Sequence, residues 1–259
     1  MKGLTSSVDK TFAILEYFTV KKPEWSITEL TEAIDSNKST VHRFLNDMKK
    51  WGVIYQNPNT GRYSLGFKLF ELGNRVEIQS AFVDKTHPIL VEVAKKITET
   101  VHIAILKNNQ TYYVDKVESP QGLRLNTSIG TYYPAYATSL GKVLLAHNYL
   151  NYEDLKSQEP FNSKLQSYTD NTITDSKKLA VELEKIRNQN YAIDYEEFEI
   201  GLICVGVPVF NQEGQIVASL SAAGPANRFK ENELNNYVKI LQEGAAAIQK
   251  EIKDFKFQV

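Results

Sequence analysis

The stretch NKSTVHRFLNDMKKWGVI, residues 37–54, decides the fold of the first part of this chain. Four apolar residues of the stretch stand at positions i, i+3, i+4 and i+7 of an α-helix: Val41, Phe44, Leu45 and Met48. This spacing gathers them on one stripe, and the other helix faces carry polar and basic side chains. Gly52 suits the turn that ends a helix. The pattern predicts an amphipathic helix whose polar surface is free to meet a partner.

Two shorter helices are predicted before this one. Ser6 with Asp9, and Ser26 with Glu29, have the three-residue spacing of helix N-terminal caps. Apolar residues at helical spacing follow each pair, so each pair marks the start of a helix. The sequence therefore predicts three helices in succession.

A β-hairpin is predicted directly after the third helix. Residues 53–55 and 62–65 are rich in strand-forming side chains, and residues 57–61 between them, NPNTG, are dense in turn formers. Two helices joined by a tight turn, with a hairpin after the second, have the element order of a winged helix-turn-helix. We assign this domain to residues 1–68.

The charge of the chain is balanced overall and uneven locally. Its 259 residues include 30 Lys+Arg and 31 Asp+Glu, and the 42% hydrophobic content is typical of a globular protein rather than a disordered one. Residues 38–68, however, hold six basic residues and one acidic residue, a local charge of +5. The net charge of -1 excludes a purely electrostatic nucleic-acid binder, but it leaves room for a small basic module.

The start of the third helix is the candidate DNA-reading surface, because the N-terminal residues of such a helix reach base edges and phosphates. Arg43 can form a bidentate contact with guanine, and Arg62 on the hairpin can contact the DNA backbone or minor groove. The alternative is a structural or protein-binding module with a solvated basic face. The predicted DNA-binding residues are Asn37, Lys38, Ser39, Thr40, His42, Arg43 and Arg62.

The second part of the chain is predicted to be α+β with an antiparallel sheet rather than alternating βαβ units. We assign residues 69–85 to a connecting helix and residues 86–259 to a C-terminal domain. The patterns predict helices over 67–83, from Pro88, from Thr138, over 175–189 and at the C-terminal end, and strands over 101–106, 111–117, 123–129, 202–210 and 215–224.

Several stretches of this sequence share one family's pattern. The most specific is DYEEFEIGLICVGVPVFNQEGQIVASLSAAGP at 194–225, and YPAYATSLGKVLLA at 133–146 is a second. Together with residues 6–18, 37–54 and 57–73, they resemble the IclR family of bacterial transcription regulators, over nearly the whole chain. The resemblance implies a winged helix-turn-helix followed by a GAF-like effector-binding domain, in a homodimer or homotetramer. Two such modules would read a pseudo-palindromic DNA operator.

A candidate effector site begins at the helix that starts near Thr138. Free backbone N–H groups of Ser139 and Leu140 at this helix start suit an anion. The resemblance implies that the carboxylate of a small organic acid lies there, with contacts from Tyr136, Asp194, Cys204 and Ser221.

Three residues depart from the family pattern around this site. Ala223 stands where some members have a hydroxyl, Tyr136 stands where histidine is common, and Asn190 replaces a small residue. Tyr132, Tyr133 and Tyr136 together favour either an aromatic effector or a cluster of core aromatics, and the sequence leaves both open.

A hydrolase or esterase that uses Ser139 or Cys204 is the alternative function. Residues 137–141, ATSLG, nearly match the Gly-x-Ser-x-Gly elbow but lack its first glycine. His147 lies about two turns beyond Ser139 on the same helix, too far to act as its base. We therefore expect a regulator, most simply a repressor, and not an enzyme.

The cysteine and histidine content excludes several kinds of site. Cys204 is the single cysteine, so neither an internal disulfide nor a cysteine zinc cluster can form, and the four histidines lack metal-ligand spacing. We expect no metal, no cofactor and no membrane segment, and a cytoplasmic location.

Overall fold

The computed structural model describes residues 6–73, 77–121, 125 and 127–252. Backbone contacts divide the chain into two compact units, Met1–Ser80 and Ala81–Val259. Each unit has its own hydrophobic core.

The first unit is a winged helix-turn-helix. Its elements are α1 Ser7–Leu15, α2 Ile27–Ile34, α3 Lys38–Lys50, β1 Ile54–Gln56, β2 Tyr63–Leu65 and α4 Phe67–Gly73. The strands β1 and β2 pair antiparallel as the predicted hairpin.

The predicted caps and apolar stripe build this unit. Ser26 and Glu29 form both hydrogen bonds of a capping box at the start of α2. Asp35, with a φ of 50°, ends α2 in the left-handed conformation and turns the chain towards α3. The apolar stripe of α3 is buried against α1 and α2, in a core that includes Ile14, Leu30, Ile34, Val41, Phe44, Leu45 and Met48.

The second unit is α+β. Its helices are α5 Glu77–Ile97, α6 Ser139–Asn148, α7 Tyr152–Lys156, α8 Ser176–Gln189 and α9 Glu231–Glu251. Its strands are β3 Thr100–Lys107, β4 Gln110–Val117, β5 Tyr132–Pro134, β6 Ala192–Tyr195, β7 Leu202–Phe210 and β8 Ile216–Pro225. The strands form one sheet in the order β5-β4-β3-β8-β7-β6, and every neighbouring pair is antiparallel.

Helices cover both faces of this sheet. Apolar residues of α5 and α9 pack with Ile103, Val205 and Leu220 on one face, which we call the α9 face. Helix α6 contacts β3, β7 and β8 on the opposite face, the α6 face, and α8 packs on α6. Because side chains alternate along a strand, every second residue of each strand points towards α6. The fold class is confirmed: a helix-turn-helix unit precedes an α+β unit with an antiparallel sheet.

The prediction of a strand over 123–129 is wrong for the described residues of that range. Residues 125 and 127–129 lie outside any strand, and 122–124 and 126 lie outside the described residues. The carbonyl of Thr127 accepts a hydrogen bond from Lys116 Nζ at 2.7 Å, a side-chain bond rather than a ladder bond. The short strand β5 pairs with β4 instead.

The helices around the connecting segment also differ from the prediction. Helix is found over Phe67–Gly73 and Glu77–Ile97, and Pro88 lies inside the second helix instead of starting a new one. Proline removes a backbone N–H and crowds the preceding turn. Helix α5 continues through Pro88 because the apolar residues on both sides pack into one core: Phe82, Leu90, Val93, Ala94 and Ile97. Across the described residues, no helix is both long and apolar enough to cross a membrane.

Candidate functional sites

The start of α3 is organised by Asn37, one of the predicted DNA-binding residues. Its Oδ1 accepts hydrogen bonds from the Thr40 backbone N–H at 2.9 Å and from the Ser39 hydroxyl at 3.1 Å. Asn37 is therefore the N-cap of the helix, and Ser39 and Thr40 are held beside it. This cap fixes the helix end that a DNA groove would meet.

The longer candidate side chains of α3 are exposed. Lys38, His42 and Arg43 are accessible, whereas Val41 and Phe44 between and beside them are buried. His42 Nδ1 lies 3.2 Å from the amide nitrogen of Asn46, and the Arg43 guanidinium lies 5.5 Å from the Phe44 ring centroid. The structure therefore gathers six of the seven predicted DNA-binding residues at one helix end.

The seventh, Arg62, is engaged inside the unit. Its Nη2 donates to Glu29 Oε2 at 2.7 Å and to the Glu24 carbonyl at 3.3 Å. Arg62 thus ties the hairpin to the start of α2. A contact between Arg62 and a DNA phosphate would have to replace this ion pair, a competition that the sequence did not reveal.

Glu29 is the centre of this network. Hydrogen bonds from the Ser26 backbone and hydroxyl, followed by Lys22 and the charge of Arg62, lower the pKa of Glu29 to about 2. The same carboxylate therefore completes the capping box of α2 and binds Arg62 of the hairpin.

The predicted effector residues of the strands share the α6 face of the sheet. Asp194 of β6 pairs directly with Cys204 of β7, and Ser221 of β8 pairs with Gly206 two residues further along β7. Side chains of directly paired residues lie on the same side of a sheet. The structure therefore brings Asp194, Cys204 and Ser221 to neighbouring positions on one face.

The start of α6 lies directly on this face. A Cβ placed on Gly206 would come within 3.0 Å of the Ser139 carbonyl carbon and 3.2 Å of the Leu140 nitrogen. Ser139 and Leu140 are each only 1% exposed. The Thr138 hydroxyl accepts from the Gly141 backbone N–H at 3.1 Å and so caps the helix. The two predicted amide donors are thus beside the polar strand residues and shielded from bulk water.

Asp194 is a buried carboxyl, only 2% exposed. Burial, reinforced by the nearby charge of Glu197, raises the pKa of Asp194 to about 7. Its Oδ1 accepts from the Glu197 backbone N–H at 2.7 Å. The raised pKa favours the protonated carboxyl, which can donate a hydrogen bond to an oxygen of a bound acid.

A buried ion pair next to Asp194 was missed from the sequence. Lys142 of α6 pairs with Glu197 and donates to the Ile193 carbonyl at 2.7 Å. Lys142 is 1% exposed, within a helix whose other buried residues are small or apolar. The sequence feature that could have revealed this pair is the lysine inside an apolar helix, because lysine is almost never fully buried without a partner.

Tyr136 is buried in the core between α6 and α8, and its hydroxyl donates to the Gln166 carbonyl at 2.9 Å. Tyr133 packs on Tyr113 with ring centroids 4.6 Å apart. These tyrosines therefore pack as core aromatics, and Tyr132 is partly exposed on the edge strand β5.

The geometry does not support the hydrolase alternative. Burial and the nearby Asp194 raise the pKa of the Cys204 thiol, so the thiolate needed for attack is disfavoured. His147 packs edge-on against Phe210, at the far end of α6 from Ser139.

A winged helix-turn-helix with an exposed basic reading helix, joined to an α+β unit, defines a DNA-binding regulator. The chain belongs to the IclR family: the model for the IclR helix-turn-helix domain matches residues 7–58, and that for the bacterial transcriptional regulator IclR C-terminal domain matches residues 78–250.

Two curated relatives illustrate the family. The chain is 38% identical to the HTH-type transcriptional regulator KdgR of Escherichia coli, over 94% of this chain and 91% of that protein. It is 31% identical to the DNA-binding transcriptional repressor YiaJ of Escherichia coli, over 87% of this chain and 80% of that protein. The chain is accordingly a transcription regulator and not an enzyme.

Solved structures share the fold. The Thermotoga maritima IclR structure is 32% identical with a TM-score of 0.72, and the match covers 95% of this chain and 98% of that one. An IclR homologue from Microbacterium hydrocarbonoxydans, complexed with 4-hydroxybenzoate, has a TM-score of 0.84 at 23% identity, over 95% and 99% of the two chains.

Acid should destabilise the first unit through Glu29. Its folded pKa of about 2 lies below the ordinary 4.5, so the unfolded chain binds the proton more tightly. The stabilisation is therefore present above about pH 4.5 and is lost as pH falls towards 2. Fluorescence-monitored urea unfolding measures this unit alone, because the two tryptophans, Trp25 and Trp51, both lie in it.

The variant Glu29→Gln should be less stable at neutral pH and should show a shallower loss on acidification. Glu32→Gln, which changes an exposed carboxylate on the same helix, is the matched control. Identical acid dependence in the wild type and Glu29→Gln would contradict this account of Glu29.

Proposed function

We propose that this protein is a cytoplasmic repressor whose binding to a pseudo-palindromic operator is controlled by a small organic acid. It would act as a homodimer or homotetramer. The observation that carries the proposal is the buried start of α6, which lies over Gly206 beside Asp194, Cys204 and Ser221. We further propose residues 1–68 for DNA binding, 69–85 as connector and 86–259 for effector binding.

Operator recognition would use the exposed end of α3. The major groove accepts an α-helix, and the N-terminal residues of a recognition helix contact base edges. Lys38 and Arg43 are exposed at this end, and Lys49 and Lys50 add positive charge at the other. A two-fold symmetric assembly would present two such helices to half-sites about 34 Å apart.

The effector would place its carboxylate at the start of α6. Unpaired N–H groups and the helix dipole both favour an anion there, and their effect is larger in a site shielded from water. Asp194, whose pKa is raised by burial, can donate a hydrogen bond to the bound acid in its protonated form. The 4-hydroxybenzoate complex of the Microbacterium homologue supports an organic acid as the ligand class.

Regulation would follow from differential affinity. An acid that binds the operator-competent and incompetent assemblies unequally shifts the equilibrium between them. A repressor is favoured because YiaJ, similar over most of this chain, carries that description.

The variant Arg43→Ala should weaken operator binding by about 1–3 kcal/mol if the guanidinium contacts a guanine. Fluorescence anisotropy with DNA from upstream of the protein's own gene measures this, beside a scrambled duplex. Lys239→Ala removes one exposed positive charge from α9 and is the control. Unchanged affinity of Arg43→Ala would exclude a base contact by this residue.

The variants Ser221→Ala and Asp194→Ala should weaken acid binding and leave operator binding intact. A thermal-shift screen of organic acids detects binding, because a ligand of the native state raises the melting temperature. Ser219→Ala is the matched control, since that hydroxyl lies on the same strand face and already donates to the Val207 carbonyl at 3.0 Å. Unchanged acid affinity in both test variants would place the effector elsewhere.

A further inference from the structure

A row of polar side chains crosses the sheet from the effector site. Gly206 of β7 pairs with Ser221 of β8, Ser221 with His102 of β3, and His102 with Lys116 of β4. All four residues therefore share the α6 face. Neighbouring strands lie about 4.8 Å apart, so His102 is roughly 10 Å from the strand that supports the start of α6.

Among the described residues, one ring nitrogen of His102 has a hydrogen-bond partner and the other has none. The residue is 1% exposed, and its Nε2 lies 2.8 Å from the Thr127 hydroxyl. Its ring meets Tyr113 edge-on, with centroids 5.1 Å apart. Within the described part of the chain, its buried Nδ1 has no hydrogen-bond partner. An unsatisfied buried polar atom is unfavourable, so this nitrogen is a candidate contact for a bound molecule.

The charge state of His102 decides which group it can bind. Burial, followed by the nearby ammonium of Lys116, lowers the pKa of His102 to about 3, so the ring is neutral at physiological pH. A neutral imidazole offers one donor and one acceptor. With Nε2 bonded to the Thr127 hydroxyl, Nδ1 is an acceptor or a donor according to the tautomer. A hydroxyl group satisfies it in either case.

A second carboxylate on the effector would be poorly matched to the surroundings of His102 and Lys116. Lys116 Nζ already lies 2.6 Å from Glu118 and donates to the Thr127 carbonyl at 2.7 Å. The aromatic side chains nearby pack on one another: Tyr113 on Tyr133, and Tyr133 on Phe198. The group left without a partner is thus polar and neutral, which favours a hydroxyl.

We propose that His102 determines the specificity of the effector site by selecting a carboxylic acid that carries a hydroxyl group. The carboxylate lies at the start of α6, and the hydroxyl bonds His102 Nδ1, two strands away. This inference rests on the proposed function, because it takes the start of α6 as the acid site.

Matched pairs of acids test the selection. Threonate and gluconate, whose terminal hydroxyls lie far from the carboxylate, are each compared with the unsubstituted acid of equal carbon number: butyrate and hexanoate. The aromatic pair is 4-hydroxybenzoate and benzoate. Calorimetry with the full chain should show at least one hydroxylated acid binding tenfold or more tighter than its partner. Binding of acids with no hydroxyl preference in any pair overturns the role of His102. Binding of no acid in any pair also overturns it, and it overturns the proposed function as well.

Two substitutions separate the nitrogens of His102. In His102→Gln the amide reaches the Nε2 position and keeps the Thr127 contact, whereas in His102→Asn it takes the Nδ1 position. His102→Gln should lose the tenfold preference, and His102→Asn should retain most of it. The reverse order, or equal preference in both, overturns the assignment. Circular dichroism and operator binding check that each variant folds. If one variant does not fold, the other is compared with the wild type: a His102→Gln protein that keeps the preference, or a His102→Asn protein that loses it, overturns the assignment.

Discussion

The close approach of α6 to the sheet is the constraint on which the second unit depends. A Cβ on Gly141 would lie 2.3 Å from the Ala135 backbone, and one on Gly206 would lie 3.0 Å from the Ser139 carbonyl. Both glycines are needed because there is no room for a side chain between the helix and its neighbours. The helix N-terminus is thereby fixed over the strands that carry Cys204 and Ser221. In this water-poor setting, the proposed contact of these amides with an anion would be stronger than at a surface.

A buried ion pair fastens α6 to the edge strand β6. Lys142 of α6 reaches across to the Ile193 carbonyl and to Glu197, and so joins the helix to β6 and the segment after it. Such a pair contributes little net stability, but loss of either partner leaves the other charge buried and costs about 3–5 kcal/mol. The pair also sets the charge environment of Asp194, whose pKa the Lys142 ammonium lowers against the larger effect of burial.

Local patterns predicted much of this molecule. The apolar stripe of α3 and the caps at Ser26 and Asn37 act within a few residues, so the sequence alone places the reading helix. The long strands β7 and β8 were predicted because apolar runs flank a turn. The short strands β5 and β6 were not, because three or four residues become a strand only through their partners. The pairing of Arg62 with Glu29 and the position of His102 beside Ser221 on the sheet likewise depend on residues distant in sequence.

Under the proposed function, the acid and the operator bias the same equilibrium, so binding of one is coupled to binding of the other. Coupling of this kind is reciprocal: if the acid changes operator affinity by some factor, the operator changes acid affinity by the same factor, typically about 5–150-fold. The direct test is calorimetric measurement of acid affinity with and without saturating operator DNA. We expect acid affinity to change by the same factor as the acid changes operator affinity. An acid affinity that is the same with and without the operator would contradict it.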